Sequence, residues 1–227
     1  MKHFVMGCLV VGLSLSAQAE DAKLTAQATT QAWTPTDGAL IDFKVLRKGQ
    51  PFGHHRLEFS RDDTGALTVE TDVKLSAGLG PITLYRYRLE SEERWIDGEL
   101  VGLTGACNND GEKTTVEAQT VSSGLQVAGS EFDGVVDLGI VPSSHWNRNQ
   151  VYSDQMVSTE SGEIIEYEIE RLGREMVKVG DTSVEATRYR LKSDLTVDLW
   201  YDDLSRWVKL TFDVRDQSIE YVLQDLY

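Results

Sequence analysis

Apolar and polar residues alternate along most of the chain from Leu40 onward, a pattern that is typical of strands with one buried face. The clearest case is residues 67–75, where Leu, Val, Thr, Val and Leu alternate with Thr, Glu, Asp and Lys. The same period of two recurs to the end of the chain and predicts about ten to twelve strands. The pattern therefore predicts an all-β protein.

Short segments rich in Gly, Asp and Asn separate the predicted strands, as in residues 48–51, 61–65 and 108–111. These residue types supply the positive φ angles or local caps that tight hairpins need, so consecutive strands should be antiparallel neighbours. A twisted sheet of this size closes or wraps around something. We expect one large curved antiparallel sheet over residues 39–227 that forms a barrel or half-barrel. The less regular stretch 129–156 is expected to cross an end of the sheet.

The first 19 residues are typical of a secretory signal peptide. Lys2 precedes an apolar run over residues 4–13, and small residues stand before a predicted cleavage site between Ala19 and Glu20. A lipoprotein signal with Cys8 as the lipidated residue is the alternative. The run is too short for a bilayer-spanning helix, which needs about 20 residues, so no transmembrane segment is expected. The predicted location is the periplasm.

Residues 20–38 are polar and rich in Ala, Thr and Gln. They predict a flexible N-terminal arm that could form a short helix, ahead of the sheet domain. The predicted organisation is therefore signal peptide, arm and one β domain.

Composition narrows the range of partners and compartments. The 227 residues are 41% hydrophobic, enough for one sizeable core, and carry a formal net charge of −15. Such an acidic protein is a poor partner for nucleic acid.

Removal of the signal peptide would leave Cys107 without a disulfide partner, so we expect no disulfide and a bystander thiol. No metal-ligand spacing or phosphate loop is present, and no cofactor is expected.

Several segments together resemble a family of uncharacterised bacterial exported proteins that is known only as a domain of unknown function. These segments are residues 45–49, 52–55, 84–88, 143–147, 199–202, 207–210 and 219–223. Their pattern is similar to the periplasmic half-barrels of the lipoprotein carriers LolA and LolB, in which a curved antiparallel sheet shelters an apolar cavity. The resemblance implies this fold and, by analogy of fold, a lipid-carrying function.

Three candidate ligand-binding residues lie on predicted strands. His55 shares its parity with inward-facing apolar residues, so it is either a ligand-orienting group or a hydrogen-bonded core histidine. Its neighbour His54 must point to the opposite face, which excludes joint metal chelation. Tyr85 and Tyr87 share the inner face of their strand, while the arginines between and after them face outward.

Three further candidates depend on irregular features of the pattern. His145 and Trp146 follow a Pro-Ser-Ser segment, where they could contact a small molecule at a barrel mouth or plug the end of the core. Arg188 has the parity of the apolar Val184 and Ala186. Either a β-bulge falls near Thr187, or Arg188 reaches inward and anchors an anion.

These observations favour a non-enzymatic binding or carrier protein for a lipid or other apolar ligand. The first alternative is a structural or interaction module of the envelope, which would bind a protein partner through an acidic face and exposed aromatic residues such as Trp95, Trp200 and Trp207. A filled interior would favour this alternative. The second is a cavity enzyme in which His145 or His55 works with a nearby carboxylate as acid and base. No residue is assigned a catalytic role by sequence alone.

Overall fold

The computed structural model describes residues 33–79 and 82–227. The predicted signal peptide and most of the predicted arm lie outside these residues. The last part of the arm, residues 33–38, packs against the sheet: the Trp33 ring lies edge-on to Phe59 at 5.4 Å and to Tyr227 at 4.7 Å between ring centroids. The described chain therefore begins on the sheet domain itself.

The described residues form sixteen strands and one short 3₁₀ helix, Arg148–Tyr152. The strands are β1 (Leu40–Arg47), β2 (Gln50–Arg61), β3 (Leu67–Leu79), β4 (Ile82–Ile96), β5 (Glu99–Asn109), β6 (Glu112–Val121), β7 (Gly124–Gly129), β8 (Asp133–Val136), β9 (Val141–Pro142), β10 (Gln155–Val157), β11 (Ile164–Glu166), β12 (Glu168–Val179), β13 (Thr182–Lys192), β14 (Val197–Asp202), β15 (Trp207–Val214) and β16 (Gln217–Leu223). Within these residues, no helix is long and apolar enough to cross a membrane.

Thirteen of these strands form one antiparallel sheet, in the order β12-β13-β14-β15-β16-β1-β2-β3-β4-β5-β6-β7-β8. Neighbours in the sheet are neighbours in sequence, apart from the pairing of β1 with β16. The predicted all-β fold with one large antiparallel sheet is confirmed. The first and last strands of the sheet, β12 and β8, do not pair with each other within the described residues.

Alternation along each strand defines two faces of the sheet. Ile41, Phe43 and Val45 of β1 are fully buried on what we call the inner face, and the residues between them point to the outer face. Residues paired across strands share a face, so Phe43, His55 and Val73 form one inner row across β1, β2 and β3. The inner face carries most of the core.

A crossing segment, residues 140–167, lies on the inner face and fills it. Its backbone runs so close to the sheet that a Cβ on Gly105 would lie 2.0 Å from the Thr159 carbonyl oxygen, and one on Gly129 would lie 2.2 Å from that of Ser161. Its Trp146 packs edge-on against Trp95 at 5.3 Å. The sheet therefore wraps around its own chain over much of its length.

The three tryptophans predicted to be exposed are buried, so that prediction is wrong. Trp95 is 4%, Trp200 3% and Trp207 0% exposed. Trp95 and Trp207 face the crossing segment, whereas Trp200 lies on the outer face under Arg188 and Lys209. Neighbouring side chains cover each ring, which the pattern of a single strand does not reveal.

Candidate functional site

His55 and His145 meet in the interior, on two sides of the same tryptophan. The His55 ring lies 5.5 Å from the Trp207 ring, and the His145 ring lies 5.7 Å from it, both edge-on. His55 comes from β2 and His145 from the crossing segment, so only the folded chain brings these two predicted site residues together. Trp146, the next residue, packs between Phe59 and Trp95.

A hydrogen-bond network fixes the crossing segment around His145. The His145 ring nitrogen Nδ1 is 3.0 Å from Gln150 Oε1, and the Tyr201 hydroxyl donates to the His145 carbonyl oxygen at 2.6 Å. The Gln150 amide bonds the Tyr201 hydroxyl, and the Tyr167 hydroxyl donates to the Gln150 carbonyl oxygen at 2.8 Å. Because these partners are themselves buried, the network rigidifies the core.

Burial disfavours the charged form of both histidines. It lowers the pKa of His55 to about 3, with further lowering from electrostatic interaction with His145 and His54, and it also lowers the pKa of His145. His55 Nε2 has no hydrogen-bond partner among the described residues, and the side-chain partner of His145 is an amide rather than a carboxylate. The arrangement supplies no acid–base pair of the kind that the enzyme hypothesis requires.

Glu93 is a fully buried carboxyl group held by two tryptophans. Its Oε2 accepts hydrogen bonds from Trp95 Nε1 at 2.8 Å and from Trp146 Nε1 at 2.9 Å. Burial raises the pKa of Glu93, and the two indole N–H groups oppose part of that rise. This contact ties the crossing segment to β4 and closes this part of the interior.

Elsewhere the inner face becomes partly exposed, at a site we call the aromatic mouth. It consists of one arginine and five aromatic residues: Arg47, Phe52, Tyr85, Tyr87, Phe212 and Tyr221. Strand register places Tyr221 of β16 and Tyr87 of β4 in one inner row, with Val45, Gly53 and Leu75 between them. Two of the predicted site residues, Tyr85 and Tyr87, therefore lie here.

Four rings of the mouth form two pairs, and one of these pairs continues into the core. Phe52 stacks on Tyr85 with ring centroids 6.0 Å apart, and Phe212 lies 6.5 Å from Tyr221. Tyr221 in turn lies 5.6 Å from His55. Tyr85, Tyr87 and Phe212 are only partly buried, whereas Phe52 and Tyr221 are at most 8% exposed. The mouth thus offers an apolar aromatic surface on a rigid base.

Polar groups line the side of the mouth formed by β4 and β5. The Tyr85 hydroxyl donates to Asn109 Oδ1 at 3.0 Å, and the Cys107 thiol lies 3.4 Å from Glu160 Oε2. Burial and the Glu160 charge raise the pKa of Cys107 to about 12 and hold the pKa of Tyr87 well above its usual value. Cys107 is therefore a protonated thiol rather than a nucleophile.

Arg188, the last predicted site residue, lies on the outer face and is neutralised there. Its guanidinium bonds the Asp198 carboxylate and lies 4.9 Å from the Trp200 ring. Arg188 does not reach inward. A register shift does lie beside it, but on the paired strand β12 between Arg171 and Gly173, and β13 itself is regular at Thr187. Val184 and Ala186 lie on the same outer face as Arg188. Ala186 is nevertheless buried, because other residues cover the outer face there.

The outer face carries a groove of about 580 Å³ between β12 and the strands β1, β15 and β16. Its charges are mixed: Lys209 lies 2.7 Å from Glu220, and Trp200 donates to the Glu175 carboxylate. No group of three or more potential metal ligands occurs among the described residues. The aromatic mouth therefore remains the better candidate for an apolar ligand.

Sequence reasoning missed four members of the mouth: Arg47, Phe52, Phe212 and Tyr221. Phe212 and Tyr221 alternate with polar residues, so their strand parity was a usable signal. Phe52 is the extra residue of a β-bulge in β2, where the register with β1 shifts between Val45 and Leu46. No simple period predicts the direction of such a side chain.

Comparisons with known proteins agree with this architecture. The family model for DUF6134, a domain of unknown function, matches residues 43–224. Among solved structures, the chain is similar to a beta-barrel-like protein of the domain of unknown function DUF1849 from Brucella abortus, with a TM-score of 0.55 and 12% identity. The alignment covers 83% of this chain and 96% of that one, and at this identity it shows the fold alone. No curated protein matches the sequence.

Proposed function

The chain belongs to the DUF6134 family of domains of unknown function, and we propose that it is a non-enzymatic binding or carrier protein that holds a lipid or other apolar ligand at the aromatic mouth. The observation that carries the proposal is the partial exposure of Tyr85, Tyr87 and Phe212 on an otherwise buried inner face. Partly exposed aromatic surface with a few polar groups beside it is typical of small-molecule sites.

The filled interior moves the proposed site from an enclosed cavity to the mouth. Trp207, Tyr201 and Phe43 are at most 1% exposed, and the crossing segment occupies the space that a carrier would leave for its ligand. An apolar ligand at the mouth would cover the exposed rings without opening the core. This geometry favours reversible binding of a slender ligand over enclosure of a bulky one.

Each of the two alternative functions loses one feature on which it was based. The interaction module relied on exposed aromatic residues together with an acidic face, and Trp95, Trp200 and Trp207 are buried. The enzyme required a histidine beside a carboxylate, and His55 and His145 have no such hydrogen bond among the described residues.

We also propose that the protein acts in the periplasm, on the strength of the signal-peptide pattern of residues 1–19.

Titration with the neutral fluorescent probe N-phenyl-1-naphthylamine tests this function. The folded protein should give saturable fluorescence enhancement at about one probe per chain. Ala77→Trp should abolish it, because Ala77 is paired with Tyr85 on the inner face and the new ring would occupy the mouth.

Ser76→Trp is the matched control, since the neighbouring Ser76 is exposed on the outer face. It should leave binding unchanged, and circular dichroism should show that both variants are folded. Absence of saturable binding, or equal binding by both variants, contradicts the proposal.

A further inference from the structure

Arg47 places a positive charge on the inner side of the aromatic mouth. It is the last residue of β1 and pairs with Ile219 of β16, a buried inner-face residue. Arg47 is partly buried, and its guanidinium carbon lies 5.5 Å from the centroid of the Phe52 ring. Stacking on this ring holds the cation beside the exposed rings rather than out in solvent.

This guanidinium has no ion pair and no hydrogen bond to any residue in the described part of the chain. Among the other partly buried arginines, Arg206 lies 2.6 Å from Asp202 and Arg188 bonds Asp198, whereas Arg148 donates to two hydroxyl groups. A guanidinium has five N–H donors and matches a carboxylate or phosphate in a bidentate manner. Arg47 therefore keeps its full capacity for an anion, in a chain whose net charge is −15.

A negative charge lies among the tyrosines of the mouth. Glu160 interacts electrostatically with Tyr87 of β4 and Tyr221 of β16, whereas Arg47 is on β1 and stacks on Phe52 of β2. An anionic group is attracted to Arg47 and repelled by Glu160, so these two charges favour an anionic head group at Arg47 rather than among the tyrosines. The rings of the mouth are left for the apolar part of the ligand.

We propose that the ligand of the aromatic mouth is a single-chain amphiphile whose anionic head group binds Arg47 and whose apolar chain covers Phe52, Tyr85 and Tyr87. This inference rests on the proposed function and adds the chemical class of the ligand. One charge-assisted hydrogen-bonded contact of this type corresponds to about a tenfold to hundredfold gain in affinity.

Displacement of bound N-phenyl-1-naphthylamine by decanoate and by 1-decanol isolates the head-group contribution, because the two competitors share one chain. Decanoate should displace the probe from the unmodified protein at a concentration at least about tenfold lower than 1-decanol. Arg47→Gln should remove this preference once each displacement is corrected for the affinity of that variant for the probe, and Arg47→Lys, which keeps the charge, should retain part of it.

Lys44→Gln is the control, since Lys44 lies exposed on the outer face of the same strand; it should keep the preference. Equal displacement by both competitors in the unmodified protein, or an unchanged preference in Arg47→Gln, overturns the assignment of the ligand class and leaves apolar binding intact. Failure of the probe to bind at all would instead contradict the proposed function itself.

Discussion

Trp146 and Glu93 are joined by a buried hydrogen bond of 2.9 Å between the indole Nε1 and carboxylate Oε2. The bond links the crossing segment to β4 across 53 positions of sequence. Trp146 also packs against Trp95, whose indole donates to the same oxygen. This contact explains why the interior on this side is filled.

Trp146→Phe should destabilise the protein by about 1–3 kcal/mol, because it keeps an aromatic ring but removes one donor from a buried carboxylate. Chemical denaturation followed by circular dichroism gives the free energy of unfolding. In a Glu93→Gln background the penalty should shrink, since a neutral amide depends less on that donor. An equal penalty in both backgrounds would show that Trp146 acts through packing alone.

Gly105→Ala should destabilise the fold by about 3 kcal/mol or more, because the new methyl would lie 2.0 Å from the Thr159 carbonyl oxygen and 2.9 Å from Val116 Cγ1. Gly102 lies on the same strand, and its nearest contact would be 3.6 Å away. Gly102→Ala should therefore change the melting temperature little. Similar melting temperatures for both variants would mean that the crossing segment does not lie against β5.

His55 should make the protein less stable as the pH falls. Its pKa is about 3 in the folded state and about 6.5 in an unfolded chain, so between these values only the unfolded state binds the proton. Folding stability attributable to His55 should fall by about 1.4 kcal/mol per pH unit below about pH 6.5.

His55→Phe should reduce the slope of the unfolding free energy against pH by the contribution of about one proton, because phenylalanine does not titrate. Its ring fits beside Trp207 and Tyr221. The unmodified protein in the same buffers is the reference. Denaturation curves at pH 7 and pH 5 measure the difference. An unchanged slope in His55→Phe would mean that His55 is not buried as a neutral ring.

The periodicity of the sequence predicted the sheet but not all of its strands. Long strands such as β3 show a clear alternation, whereas β9, β10 and β11 have only two or three residues and carry no period. The assumption that one face of every strand is exposed failed at β14, where Asp198, Trp200 and Asp202 are buried on the outer face. Contacts between distant segments cover that face, and local pattern does not report them.

The candidate site was predictable only in part, for a similar reason. The inward direction of His55, Tyr85 and Tyr87 follows from alternation along single strands. Their separation into a packed interior and an exposed mouth depends on where the crossing segment lies, and the direction of Phe52 depends on a bulge. Both are tertiary features that strand parity does not encode.

The proposed export predicts processing of the N-terminus. The intact mass of protein recovered from a periplasmic extract should correspond to a chain that starts at Glu20. Ala19→Arg should block this cleavage, because the signal peptidase site needs a small residue there. Recovery of a chain that still starts at Met1, or of a lipidated form that starts at Cys8, would contradict this processing.

Native mass spectrometry of the full chain, expressed in cells and purified without detergent or organic solvent, tests the central claim most directly. We predict a non-covalent adduct with the mass of a single amphiphile on the unmodified protein and on Ser76→Trp, and its absence from Ala77→Trp. An adduct-free mass for the unmodified protein, or the same adduct on folded Ala77→Trp, would contradict the account of the aromatic mouth as a ligand site.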